Sequence, residues 1–195
     1  LREADILKAA EHIFATKGYY KATIQDIAKE AQYAVGTIYL YFKNKQRIYL
    51  ILIEKKAQDL ISRVKEKVSQ VNEAREKIRV LVEQQLSYFE ENEDFFRIYF
   101  SERGGLRWTI KDKLSRSAVD EFLKYLDYIA KLIKLAQREG AIKKELDAKK
   151  TAYLLAGMMN ATVFPWLREE PRQKKRLKEL SKYVLEVFYE GVGKK

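Results

Sequence analysis

Residues 23–45 read TIQDIAKEAQYAVGTIYLYFKNK, and the fold follows from where this stretch puts its apolar and polar side chains. Thr23 stands where an N-cap belongs, with Asp26 three residues on as the acidic half of a capping box. Ile24, Ile27, Ala28 and Ala31 then recur at helical spacing, which makes a short helix with one buried stripe. After a break over Gln32–Ala34, Val35, Ile38 and Phe42 face inward on a second short helix, 35–41, leaving Thr37 and Tyr41 as outward neighbours four apart. Upstream, Ile6, Leu7, Ala10, Ile13 and Phe14 share one face of a helix over 3–17 that Gly18 stops. Downstream, Asn44 caps a long helix over 45–71, whose stripe runs through Ile48, Leu52, Ala57, Leu60, Ile61, Val64, Val68 and Val71. Three short helices with a tight turn between the last two predict a helix-turn-helix head on a long connecting helix.

Composition narrows the class. A chain of 195 residues, 47% of them apolar, is long enough to bury a core and is not globally disordered. With two prolines, eight glycines and no sustained alternation of apolar and polar residues, the expected fold is all-α. The absence of cysteine removes disulfides, thiolate metal sites and a cysteine nucleophile, and fits a reducing, cytoplasmic setting. No apolar run approaches the about eighteen residues needed to span a bilayer, and no basic-then-apolar leader is visible, so no membrane partner is expected. The one histidine, His12, lies beside the head core, and the chain has no metal-ligand cluster, phosphate-cradling glycine loop or nucleophile elbow. Neither catalysis nor a cofactor or metal is therefore expected. Net charge is +11, divided as +3 over the first 50 residues and +8 over the other 145, so charge permits DNA binding without locating it.

The body is expected to hold helices over about 73–91, 93–103, 110–139, 148–168 and 172–191, nine in all with the head and connecting helix. Gly104–Gly105 breaks the chain, Gly140 stops the helix over 110–139, Pro165 should kink its helix, and Pro171 opens the last one as a first-turn proline. The predicted division is 1–46 as the head and 47–195 as the body.

The run Lys17-Gly18-Tyr19, Thr23, Ile27-Ala28, Gly36-Thr37-Ile38-Tyr39 and Phe42-Lys43-Asn44-Lys45 resembles the N-terminal signature of the tetracycline-repressor (TetR/AcrR) family of bacterial transcriptional regulators. The likeness covers about 45 residues in order and spacing; the remaining body resembles the family in helix number and length. It departs at Gln32, where a turn glycine is usual, at Ala34, which lacks a capping hydroxyl, and at Val35, often a lysine. Tyr33 is expected to turn its ring inward with its hydroxyl at the rim.

The resemblance implies a DNA surface with Val35 and Thr37 at base edges, Gly36 permitting close backbone approach, and Tyr39, Tyr41, Lys43 and Lys45 at phosphate or sugar. Thr23, with the amides opening its helix, is a further phosphate candidate. Each has an ordinary alternative: Thr23 a structural cap, Tyr39 a packing residue, Lys43 and Lys45 solvated surface. One head reads too few base pairs to find its site in a genome, so a homodimer on a palindromic operator in double-stranded DNA is expected. Its interface is assigned to two apolar stripes: Leu155, Val163 and Leu167 on one helix, and Leu177, Leu180, Val184, Val187 and Phe188 on the other. The resemblance also implies a small-molecule effector, acyl or aromatic. The candidate pocket residues are Phe89, Phe96, Tyr99, Phe100, Trp108, Phe122, Tyr125 and Met159, with Arg103 and Asn160 as polar anchors. A ligand-responsive repressor is the function this implies, with effector tilting the helix from Lys45 so that two heads lose their groove spacing. The alternative is a helical protein-interaction adaptor that has lost DNA binding.

Overall fold

The computed structural model describes residues 2–104, 116–169 and 176–193, with side chains over 2–99, 120–169 and 176–193. Among the described residues the regular structure is helical: α1 (Arg2–Lys17), α2 (Ile24–Glu30), α3 (Val35–Tyr41), α4 (Lys45–Ser69), α5 (Ala74–Glu91), α6 (Glu93–Gly104), α7 (Arg116–Arg138), α8 (Ala148–Trp166) and α9 (Leu180–Val192). The chain divides into two compact units, Leu1–Ala57 with Asn92–Val119, and Gln58–Glu91 with Asp120–Lys195.

In the first unit, the stripes of the three short helices meet. Ile6, Ala10 and Phe14 of α1, Ile27 of α2, Ile38 of α3, Phe42 and Ile48 are buried together, and Tyr49 presents its edge to Phe14 with ring centres 5.9 Å apart. Gly18 ends α1 with its amide on the Phe14 carbonyl at 2.9 Å. Farther along, α6 packs against α1, and Lys56 ties the neighbouring elements by an ion pair to Glu11 at 2.9 Å and a hydrogen bond to Asn92 Oδ1 at 2.6 Å.

The turn between α2 and α3 has a Schellman geometry: the Gln32 amide donates to the Lys29 carbonyl at 3.2 Å and the Tyr33 amide to the Ala28 carbonyl at 2.9 Å. This motif needs a left-handed residue, and Gln32 supplies it at φ 58. Of the two outcomes open at a glutamine in a glycine position, the chain has taken the strained one.

In the second unit α5, α7, α8 and α9 bury Ile78, Leu81, Leu86, Leu126, Ile129, Ile133, Leu155, Met159, Val163, Val184 and Phe188. The Asp147 carboxylate caps α8 by accepting from the Lys150 amide at 2.8 Å. At the other end of α7, Gly140 adopts φ 80 and closes a second Schellman turn, with the Ala141 amide on the Ala136 carbonyl at 2.8 Å. An isolated antiparallel bridge joins Ile142 to Gly193.

One expectation about a helix end changes. The last helix begins at Leu180 rather than near 172: Arg176 is extended, and Leu177–Glu179 form a 3-10 turn that seats the fully buried Leu177. The first apolar residue after Pro171 is Leu177, so the helical stretch starts where there is something to bury. Pro165 lies inside α8, one residue before its end at Trp166, where it removes the amide that would bond the Ala161 carbonyl. Pro171 itself lies outside the described residues.

Candidate nucleic-acid interface

The α3 helix is the centre of the candidate surface. Burying Ile38 and Phe42 on one side puts positions 36 and 40 on the opposite side, and Leu40 is 83% exposed. Tyr39 and Tyr41 are exposed beside it, Lys43 is exposed just beyond, and Gly36 has open space where a Cβ would stand. Thr37 and Val35 are half-buried, each at the edge of this face. Leu40 was absent from the expected contacts; the spacing that buries Ile38 and Phe42 is the signal that finds it.

The entrance to α3 is bare. Ala34 is extended and provides no side-chain cap. The entrance to α2 is the reverse. The Asp26 amide donates to Thr23 Oγ1 at 3.1 Å, and Asp26 Oδ2 accepts from the Thr23 amide at 3.0 Å, which completes the expected capping box. Lys17 adds an ion pair to Asp26 at 2.6 Å, and these bonds, that of Lys17 first, hold the carboxyl down at about 2. Thr23 thus has a structural occupation, while its side chain stays exposed on the same unit as α3.

Lys45 differs most from expectation. Its ammonium donates to the carbonyls of Tyr19 at 2.7 Å, Tyr20 at 3.2 Å and Ala22 at 2.7 Å, and lies 4.6 Å from the Tyr19 ring centre. Its three donors go to the segment leading into α2, so this half-buried lysine fastens the head. Asn44 caps α4 as expected, accepting from the Arg47 amide at 2.8 Å. Tyr33 is half-buried with its hydroxyl donating to Asp5 at 3.1 Å; partial burial, then the Asp5 carboxylate, push its phenol up. His12 is exposed, 4.0 Å from Glu30.

The expected effector residues divide. Phe89, Tyr125 and Met159 are buried in the second unit, Phe96 and Tyr99 belong to the first, and Phe122 is exposed. Asn160 is half-buried. The side chains of Phe100 and Arg103, and Trp108 entirely, lie outside the described residues. A separate cleft of about 410 Å³ is lined by Arg75, Glu76, Arg79, Leu185, Glu186, Tyr189 and Glu190, none of them an expected pocket residue. Burial pushes the Tyr189 phenol there up to about 12.

The expected interface stripes are mostly intrachain core. Leu155, Val163, Leu167, Leu177, Val184 and Phe188 are buried within the single chain, Leu180 is half-buried and only Val187 is exposed. The reason is that α8 and α9 are apolar on two faces. Their outer faces show Tyr153, Leu154 and Phe164 on α8, and Tyr183 beside Val187 on α9.

A three-helix head that displays α3, set in a chain of long helices, defines a DNA-binding regulator of the helix-turn-helix class. Comparison with known proteins makes this particular. Residues 6–50 match the family described as bacterial regulatory proteins, tetR family, and residues 53–191 match the YsiA-like protein, C-terminal region. The chain is 30% identical over 191 residues to the fatty acid metabolism regulator protein of Bacillus subtilis, covering 97% of this chain and 95% of that one. The crystal structure of the transcriptional regulator FadR from Bacillus subtilis in complex with stearoyl-CoA superimposes with a TM-score of 0.84 at 28% identity, covering 96% of this chain and 98% of that one. The fatty acid degradation regulator FadR from Bacillus halodurans gives a TM-score of 0.85 at 25% identity, over 97% and 95% of the two chains. The protein belongs to the tetR family and is a ligand-responsive, DNA-binding transcriptional regulator. Among the described residues no helix is long and apolar enough to cross a membrane.

Proposed function

We propose that the protein is a cytoplasmic, non-enzymatic repressor that binds a palindromic operator as a homodimer and is released by a long-chain acyl-CoA. The observation that carries the DNA half is the outer face of α3, where Gly36, Tyr39, Leu40, Tyr41 and Lys43 stand clear of the core. Thr37 and Val35 read base edges at the N-terminal end of this helix; the Tyr39 and Tyr41 hydroxyls and Lys43 reach phosphate. Thr23 meets a phosphate with its exposed side while capping α2. Residues 1–46 do the reading, and 47–195 bind effector and dimerise. The acyl half is supported by the stearoyl-CoA bound to a relative that matches nearly the whole chain. The second copy is assigned to the outer faces of α8 and α9, since Tyr153, Leu154, Phe164, Tyr183 and Val187 leave apolar area that an isolated chain has no reason to expose. Effector binding tilts α4 and changes the spacing of two heads.

The test is fluorescence anisotropy on fragments upstream of the protein's own gene. Affinity should fall on the order of a thousandfold between roughly 50 and 200 mM salt, as phosphate-dominated binding requires. Stearoyl-CoA at low salt should release the fragment. Tight binding indifferent to salt would sink the DNA surface described here, and complexes indifferent to every acyl-CoA would sink the effector reading alone.

A further inference from the structure

Among the described residues the buried interior of the second unit is mostly apolar, and one buried polar pair in it spans two helices. Tyr125 of α7 donates its hydroxyl to Gln85 Oε1 of α5 at 2.7 Å, and the two residues are 5% and 4% exposed. Leu81, Val82, Leu86 and Phe89 surround Gln85 along α5, and Leu126 and Ile129 flank Tyr125 along α7, all of them buried. Gln85 lies on the stripe Ile78, Leu81, Val82, Gln85, Phe89, where helical spacing alone would place a hydrophobe.

The pair is only half used. The carboxamide oxygen accepts from Tyr125, while the carboxamide N–H₂ has no partner among the described residues. Yet no described side-chain nitrogen or oxygen that is sealed from solvent lacks a hydrogen-bond partner. The Gln85 nitrogen therefore keeps some accessible surface, although the residue as a whole is 4% exposed. An unmatched amide in apolar surroundings costs stability on the order of a hydrogen bond unless a ligand pairs with it.

We propose that the Gln85 carboxamide, held in orientation by Tyr125, donates to the carbonyl oxygen of an acyl thioester bound in the second unit. The inference rests on the acyl-CoA reading above and names the group that senses the thioester. Its chemistry fits a neutral acceptor. Gln85 carries no charge, and burial pushes the Tyr125 phenol far above its ordinary range, so it stays a neutral donor and fixes which end of the amide is free. Two neutral N–H donors in apolar surroundings match a thioester carbonyl flanked by an alkyl chain and mismatch an ionised fatty-acid carboxylate, which would need a cation in their place.

The experiment compares stearoyl-CoA with S-octadecyl-CoA, the thioether that lacks the carbonyl, by calorimetric titration of wild type, Gln85→Leu and Tyr125→Phe. Wild type should prefer the thioester by about threefold to tenfold, the value of one hydrogen bond. Gln85→Leu should abolish that preference, and Tyr125→Phe should reduce it partway, since it removes only the positioning hydroxyl. Both ligands are titrated into the same variant, so any loss of folded protein divides out of the ratio. A wild type that binds thioester and thioether equally, or a Gln85→Leu variant that keeps the preference, overturns the inference and leaves the acyl reading intact. Binding of neither ligand overturns the acyl reading and takes this inference with it.

Discussion

The helices α2 and α3 are both seven residues long, and only Ala31, Gln32, Tyr33 and Ala34 separate them, yet their entrances are built in opposite ways. The start of α2 is fastened three times: by the capping box of Thr23 and Asp26, by Lys17 on Asp26, and by Lys45 on the carbonyls of the segment before it. The start of α3 follows a strained left-handed Gln32 and an Ala34 with no cap. Each entrance presents orphan amides; at α2 a side chain accepts from the Asp26 amide, whereas at α3 the Thr37 amide turns back on the Ala34 carbonyl at 2.9 Å and no side chain caps the helix. The difference teaches where the molecule has put its stability and where it has left groups for a partner. The support helix is locked, and the helix proposed to meet DNA has an uncapped entrance.

The largest way to break this comparison is Lys45→Met. Loss of a charge-assisted set of bonds should destabilise the first unit by about 2 kcal/mol, read as a lower urea midpoint. The competing outcome is informative: unchanged stability with a DNA-binding salt slope reduced by about one would return Lys45 to the phosphate backbone. Next comes Thr23→Ala, which removes one side of the capping box and should cost about 1 kcal/mol. The partner test is in pH. The Asp26 carboxyl is held at about 2 in the folded chain against an ordinary 3.8, so its contribution is full above about 4 and is lost as pH falls toward 2. Thermal melts of wild type should weaken across that window, and Asp26→Asn should remove this component of the slope. Ala34→Ser sharpens the contrast from the other side. A hydroxyl at the α3 entrance should stabilise the unit by about 0.5 to 1 kcal/mol.

How much of this could be read from sequence depends on how far apart the partners lie. Thr23 and Asp26 are three residues apart, and Gly18, Gly140 and Asn44 act within one turn, so local chemistry announces them. Lys45 reaches carbonyls more than twenty residues upstream, and nothing in the run Phe42-Lys43-Asn44-Lys45 says which lysine turns inward. The stripes of α8 and α9 show the same limit at the level of packing. Periodicity finds Leu155, Val163, Val184 and Phe188 as apolar, but when a second apolar face carries Leu154, Phe164 and Tyr183 it cannot say which face the chain covers itself. Gln85 was legible as a polar residue on an apolar stripe, whereas its tie to Tyr125, on another helix, was not.

The smallest effect isolates the strain in the bare entrance, because the chain contains its own control. Gln32 and Gly140 occupy the same left-handed position of the same turn, at φ 58 and φ 80. A side chain there costs about 1 kcal/mol in the folded state, while glycine raises the entropy lost on folding by a similar but smaller amount. Gln32→Gly should therefore stabilise the first unit by only about 0.5 kcal/mol, and Gly140→Gln should destabilise the second by about the same. Paired hydrogen-exchange measurements on amides of α2 and α7 would resolve the two signs separately. If Gln32→Gly instead destabilises, the glutamine side chain must be making a favourable contact that offsets its backbone. The open entrance of α3 would then be supported after all, and the contrast with α2 would reduce to the missing cap at Ala34.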